Sequence, residues 1–259
     1  MKFNMFLLMI FFSTSVFAKN EITWLGQSAL WIKTSEGKQI IIDPFIMNNP
    51  KTPKKFKDKN LYKNIDLVLI THGHGDHLGD YSEILSNSKN AKISMNADMG
   101  NVMIGRKMID QKKYFPLNKS GELNPFGDKL KVIMVRAEHS SSISHNNEVV
   151  YGGEPVGYII EFSNGKKIYH AGDTGVFGDM KMIGSYYKPD IAFVPIGGNY
   201  TMGPKEAAYA IDELIKPKQV IPFHYGTFPI INKTPAEFKS FLKNKKRIKV
   251  IKPGDTIKI

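Results

Sequence analysis

The sequence predicts an α/β fold, a four-layer αβ/βα sandwich of two mixed sheets with helices on their outer faces. Three observations carry this: strand-length apolar runs fall into two groups along the chain, stretches with helical spacing accompany each group, and metal-ligating residue types sit where apolar runs end.

The elements follow in order. Lys2 and the apolar residues 5–12, followed by Val16 and Ala18, read as a secretory signal over 1–18, with the mature domain spanning 19–259. The apolar stretch is short against the roughly 20 residues of a spanning helix, so no membrane anchor is expected after cleavage. Residues 21–25, 29–34 and 38–42 read as strands with turns at Gly26 and Gly37, and the lysine-rich stretch 51–63 as a surface loop. A continuous apolar strand at 66–70 is followed by helical stretches at 80–85 and 97–107. The second series of strands covers 130–135, 156–162, 166–169 and 191–195. Residues 204–215 place Ala207, Ala208, Ile211 and Leu214 on one helical face, and Pro204 suits a first turn. A strand at 220–223, a helix at 235–242 and terminal strands at 248–251 and 256–259 complete the chain, which shows no internal repeat.

Composition bounds the chemistry. The 259 residues contain no cysteine, which removes disulfides, thiolate ligands and a thiol nucleophile. About 240 mature residues are ample for a core without them. The net charge of +12 raises a nucleic-acid partner, yet nearly all of it is lysine: the arginines are Arg106, Arg136 and Arg247. Phosphate and base recognition favours the planar guanidinium fork, so this reads as a solvated lysine surface and no nucleic acid is expected. The signal points to an exported protein, periplasmic or secreted by a bacterium, and a small-molecule substrate is expected.

The chemistry concentrates in His72-Gly73-His74-Gly75-Asp76-His77, directly after the apolar run. Imidazoles and a carboxylate in this density suit zinc or another first-row divalent metal. His72 and His74 are placed to point one way and Asp76 and His77 toward a second point, so one loop begins two adjacent sites. Gly73 and Gly75 suit positive φ angles and leave room around an ion. Further ligands must come from His139, His145, His170 or His224, of which His139 and His224 follow strand-like runs; Asp173 also lies just after one. His145 sits in a polar loop.

These blocks resemble the metallo-β-lactamase superfamily, and more closely its uncharacterised metal-dependent hydrolases related to ascorbate-phosphate lactonases. The matching stretches are IDPF (42–45), THGHGDHLGD (71–80), AEHSSSI (137–143), YHAGDT (169–174), PIGGNYTMGP (195–204) and IPFHYGTFP (221–229). The resemblance implies that His72, His74 and His139 bind one metal, that Asp76, His77 and His224 bind a second, and that Asp173 bridges them. It also implies that Asp43 hydrogen-bonds the ligand loop from behind. His170 falls outside the family's ligand set and is expected to hydrogen-bond behind the site or sit in the core.

The implied activity is hydrolysis of a small ester, lactone or phosphodiester by a hydroxide held between two divalent ions, zinc first, with manganese or iron as alternatives. Asp76 is the candidate to orient that nucleophile or move its proton. Tyr225, Asn199, Tyr200 and Ser140 neighbour the ligand blocks and are candidate substrate contacts. Two other classes remain open from sequence: an iron-dependent oxygenase on the same fold, and a metal-binding module without catalysis.

Overall fold

The computed structural model describes residues 19–259; the signal expected over 1–18 lies outside the described residues. The first sheet is built from Glu21–Gly26 (β1), Ala29–Lys33 (β2), Gln39–Ile42 (β3), Leu67–Leu69 (β4), Lys92–Asn96 (β5) and Tyr114–Leu117 (β6), side by side in chain order. The C-terminal strand Thr256–Lys258 pairs with the free edge of β1. β1, β2 and β3 are antiparallel, whereas β3 to β6 run parallel.

The second sheet takes Glu122–Leu123 (β7), Leu130–Arg136 (β9), Val156–Phe162 (β12), Lys167–His170 (β13), Ile191–Pro195 (β14) and Gln219–Phe223 (β15), in the order β15-β14-β13-β12-β9-β7. Pro125–Asp128 (β8) leads into β9, and Ser142–His145 (β10) with Glu148–Tyr151 (β11) forms a separate hairpin. Its two-residue turn, Asn146-Asn147, has φ of 51° and 63°, the left-handed pair that matches strand twist. The Thr256–Lys258 strand is then β16.

Why the strands read as continuous apolar runs is now plain: both faces of each sheet are covered. Ile40, Ile42, Leu67 and Leu69 face inward and meet Met134, Tyr158, Ile160 and Phe193 of the other sheet. The alternate residues Ile41, Val68 and Ile70 face outward, under Tyr81–Asn87 (α1) and Ala97–Gly105 (α2), which contribute Ile84, Leu85, Met99 and Met103. Ile159, Ala192 and Val194 likewise pack under a helical layer that supplies Met180, Ala207, Ile211 and Phe238. Each such valine, leucine, isoleucine, phenylalanine or methionine, fully removed from water, contributes about 1.5–3 kcal/mol before entropy is counted. Helix, sheet, sheet, helix makes the four layers.

Four expectations need correction. The strand expected at 248–251 is reduced to one parallel bridge between Val220 and Ile248, with Val250 exposed. This segment leaves the edge of the second sheet at β15 to reach the edge of the first at β16, and cannot pair along both. The helix expected over 204–215 is regular over Pro204–Tyr209 and opens into a wider turn over Ala210–Ile215, where Lys216 N donates to Ile211 O. The stretch 51–63 carries two short 3-10 turns and buries Tyr62, whose hydroxyl donates to Phe56 O. Strand β6 escaped the sequence reading because Pro116 lies in it, which a sheet tolerates only at an edge such as this one.

The pairing directions position the site. β1, β3 and β4 point the same way in the first sheet, and β9, β13, β14 and β15 in the second. Their C-terminal ends therefore emerge along one edge of each sheet, where candidate ligands distant in sequence converge.

Candidate metal centre

Asp43 follows β3, residues 71–77 follow β4, His139 follows β9, Asp173 follows β13, and His224 follows β15. The structure brings all of these together. One nitrogen each from His72, His74 and His139 lies within 4.8 Å of the others, and ligand atoms of Asp76, His77 and His224 form a second such trio. Asp173 lies between the trios: its carboxylate oxygens are 3.3 Å from His77 Nε2, 2.9 Å from His224 Nε2 and 3.8 Å from His139 Nε2.

Behind the loop sits Asp43, fully buried, with φ of 47°. Three donors hold it in that strained conformation: Thr71 N–H at 2.8 Å, the Thr71 hydroxyl at 2.7 Å and His77 Nδ1–H at 2.7 Å. Since the Thr71 hydroxyl gives its proton to Asp43, it accepts from His72 Nδ1 at 3.0 Å. One Asp–Thr pair thus places protons on the Nδ1 atoms of two imidazoles and turns both Nε2 atoms toward the site, where His72 Nε2 lies 2.9 Å from His74 Nδ1.

The glycines of the loop serve differently from expectation, since neither Gly73 nor Gly75 has positive φ. A Cβ on Gly73 would lie 2.7 Å from Ser142 O, so the residue permits close approach of the metal loop to the β10 strand. That contact is tied by Ser141, whose hydroxyl accepts from Gly73 N–H at 3.1 Å and donates to Gly152 O at 2.9 Å. Gly75 meets nothing within 4 Å. Positive φ falls instead on Gly79, where a Cβ would strike Pro44 O at 2.4 Å, and on His224.

Electrostatics divide the imidazoles into two kinds. Burial and the neighbouring His77 charge hold His72 well below the ordinary histidine range, and burial lowers His74 and His139, so these three stay neutral. Burial alone would lower His77 and His224 too, but Asp173 with Asp43 and Asp76 lifts His77 well above its ordinary value, and Asp173 with Asp76 lifts His224 to about 9. Asp173 is itself held well below the usual carboxylate range: burial opposes this, and His224 and His77 outweigh it.

A divalent metal fits this arrangement. His77 Nε2 and Asp173 Oδ1 are buried, face each other and have no hydrogen-bond partner among the described residues. Buried polar atoms rarely go unpaired, and an imidazole nitrogen opposite a carboxylate oxygen is the donor set such an ion takes once its binding has displaced the imidazolium proton.

Other expected residues are distributed more widely. His170 is a fully buried brace: its Nε2–H donates to Ser28 O at 2.8 Å, its Nδ1 accepts from Gly172 N–H, and its ring stands edge-on to Phe223. It thereby clamps the β1–β2 turn and the Asp173 loop together. Ser140 lines the cleft in front of the metal residues, as does Tyr200. Tyr225 does not line it; its ring packs against Trp24 at 5.6 Å, because the positive φ of His224 turns the chain and sends the next side chain inward. Asn199 lines a neighbouring depression and is exposed. His145 ends β10, away from the cleft lining.

Gln27 escaped the sequence reading. It sits in the β1–β2 turn, buried, with φ of 49°, and its amide nitrogen is 2.9 Å from Asp76 Oδ2 and 2.7 Å from His224 Nε2. The available signal is a polar Gly26-Gln27-Ser28 triplet between two largely buried strands, at the same sheet edge as the candidate ligand loop.

Comparison with known proteins agrees with the geometry. A family model described as a beta-lactamase superfamily domain matches residues 38–225. A UPF0173 metal-dependent hydrolase of Cupriavidus metallidurans is 48% identical over 231 residues, covering 86% of this chain and 79% of that protein. Another from Thermodesulfovibrio yellowstonii is 39% identical, covering 98% of this chain and 97% of its own. Among solved structures, Igni18, a novel metallo hydrolase from the hyperthermophilic archaeon Ignicoccus hospitalis, aligns with a TM-score of 0.78 at 34% identity, over 93% of this chain and 98% of its own. An isothiocyanate hydrolase from Delia radicum gut bacteria aligns with a TM-score of 0.69 over 92% of this chain and 98% of its own, and at 20% identity shares the fold alone.

Proposed function

The chain belongs to the beta-lactamase superfamily and is similar along its length to metal-dependent hydrolases, and from that footing we propose that its two trios hold two divalent ions, zinc first, for hydrolysis of a small ester, lactone or phosphodiester. The observation that supports this most is Asp173, buried between the trios and within 4 Å of an imidazole nitrogen from each. When bound, the ions supply an activated water and polarise the oxygen of the scissile group. The protein's own part is to orient and to hold protons. Asp43 and Thr71 fix the His72 and His77 tautomers. Asp76 is the more exposed of the two site carboxylates, and the amide of Gln27 at 2.9 Å aims its Oδ2. That places it to take a proton from an attacking water at Oδ2 and return it to a leaving group.

The complete second trio favours the dinuclear reading over a single-iron oxygenase. His74→Ala removes a ligand that is half-buried at the cleft surface. The expected outcome is loss of metal-dependent turnover and of one equivalent of bound metal, with the circular dichroism spectrum unchanged; full turnover in this variant refutes the assignment. For residues 1–18 we propose a cleaved export signal, which fractionation and the intact mass of the native protein test.

A further inference from the structure

Beyond the metal residues, the cleft has a second wall of a different character. Tyr200, Phe228 and Ile231 line it together with the histidines and carboxylates, in a cavity of about 490 Å³, within the size range of small-ligand sites. This wall is well braced. Gly226 N–H donates to Ile231 O at 2.6 Å and Ile231 N–H to Phe228 O at 3.1 Å, closing the loop after His224 on itself. Ile231 is fully buried, and Phe228 leans on Phe45 with ring centroids 6.3 Å apart. Phe228 and Tyr200 nonetheless remain 37% and 59% exposed, so they offer uncovered ring surface directly beside the metal residues.

Equally telling is the charge around it. The chain carries 36 lysines and arginines, yet none of those among the described residues lines this cleft. The cations in the adjoining depression that shares His139 and Ser140 are matched: Lys119 pairs with Glu154, and Arg136 with Glu138 at 2.7 Å. On the other side, Lys233 lies 4.0 Å from Glu237, and Lys205 lines the same depression outside the cleft. A substrate with a phosphate or carboxylate on its non-reacting part would find no lysine or arginine of the described residues in the cleft wall to pair with, whereas an uncharged ring or alkyl chain would cover Phe228 and Tyr200.

We propose that the site takes a carboxylic ester or lactone whose non-reacting portion is uncharged and apolar, an aryl or short alkyl group, and that Phe228 and Tyr200 select it. This rests on the hydrolase reading of the same site. In the reaction, a water oxygen bonds to the carbonyl carbon and the carbon–oxygen bond to the alcohol breaks. One water proton goes to the departing alkoxide and the other is released as the acid ionises.

The test uses the zinc-loaded full chain and two esters that differ only in tail charge, para-nitrophenyl butyrate and para-nitrophenyl hemisuccinate, with bis(para-nitrophenyl) phosphate as a third. The neutral ester is expected to have kcat/KM higher by about tenfold or more. Phe228→Ala and Tyr200→Ala are expected to raise its KM by roughly five- to tenfold, with kcat within about twofold, as loss of part of a ring contact predicts. Equal or faster turnover of the anionic ester or the diester, or unchanged KM in both variants, overturns the proposal while leaving the hydrolase reading intact. Calorimetric binding of the inert neutral ketone benzylacetone separates the two: binding weakened by Phe228→Ala, without turnover of any ester, sinks the hydrolase reading and keeps the apolar subsite.

Discussion

Asp43→Asn isolates the device that sets the tautomers. The substitution conserves shape and exchanges one carboxylate oxygen for an NH2 group, inside a pocket whose three contacts to Asp43 are all donors. The amide has two orientations, each with a cost. With its nitrogen toward Thr71 N–H, two donors face each other in a fully buried place, a loss of about 1–3 kcal/mol in folding stability. With its nitrogen toward His77, every group is satisfied only if the imidazole accepts at Nδ1 and carries its proton on Nε2. Nε2 is the atom 3.3 Å from Asp173 and 3.7 Å from Asp76, so the ligand lone pair is lost. The Thr71 hydroxyl, now an acceptor from the amide, donates to His72 Nδ1 and moves that proton too. Changes behind metal ligands typically weaken affinity by roughly 10- to 100-fold, which is about 1.4–2.7 kcal/mol. The assay is zinc titration against a chromophoric chelator, paired with thermal unfolding of chelated and zinc-loaded protein. A variant that binds two zinc ions with wild-type affinity and melts unchanged in both forms refutes the tautomer reasoning.

The other predictions concern the loop and the site's charges. Gly73→Ala places a methyl 2.7 Å from Ser142 O and 2.8 Å from Ile143 Cγ1; backbone cannot yield cheaply, so about 1–3 kcal/mol of stability is lost in denaturant titration, and a loss below about 0.5 kcal/mol would show the loop to be adaptable. Chelated protein is expected to melt at lower temperature at pH 9 than at pH 7. A raised histidine pKa contributes stability that is complete below its unfolded value near 6.5 and lost as pH rises through the folded value, about 9 for His224, with His77 also raised. His72, His74 and His139, being lowered, act on the acid side of that window. Zinc-loaded protein, whose ligands are already deprotonated, is expected to show a smaller loss over the same range; a chelated form whose melting temperature rises from pH 7 to pH 9 contradicts this.

What could be read from sequence was local or periodic. The ligand loop is compressed into His72 to His77, so its chemistry needs no tertiary knowledge. The strands of the two sheets announce themselves because each is covered on both faces, and uninterrupted apolar residues are the direct trace of that. Strand β6 and the β10–β11 hairpin gave weaker traces, being an edge with Pro116 and an exposed ribbon.

Orientation was hidden. Tyr225 adjoins His224 in sequence yet points into the core, because a single left-handed φ at His224 reverses the side expected for its neighbour. Gln27 is distant from every ligand in the chain and touches two of them, since strand direction brings the β1–β2 turn to the same edge. The apolar wall of Phe228 and Ile231 exists only because backbone hydrogen bonds fold the loop after β15 back over the cleft.

By itself, then, the sequence determined the candidate donor residues, their order along the chain and the layered architecture that carries them, for these depend on residue type and spacing. Tertiary structure alone decided which side chains face the metal residues and what a substrate meets beyond them. Those are matters of backbone direction and of closure between segments up to about two hundred residues apart, as in the contact of Gln27 with His224, and no local pattern encodes them.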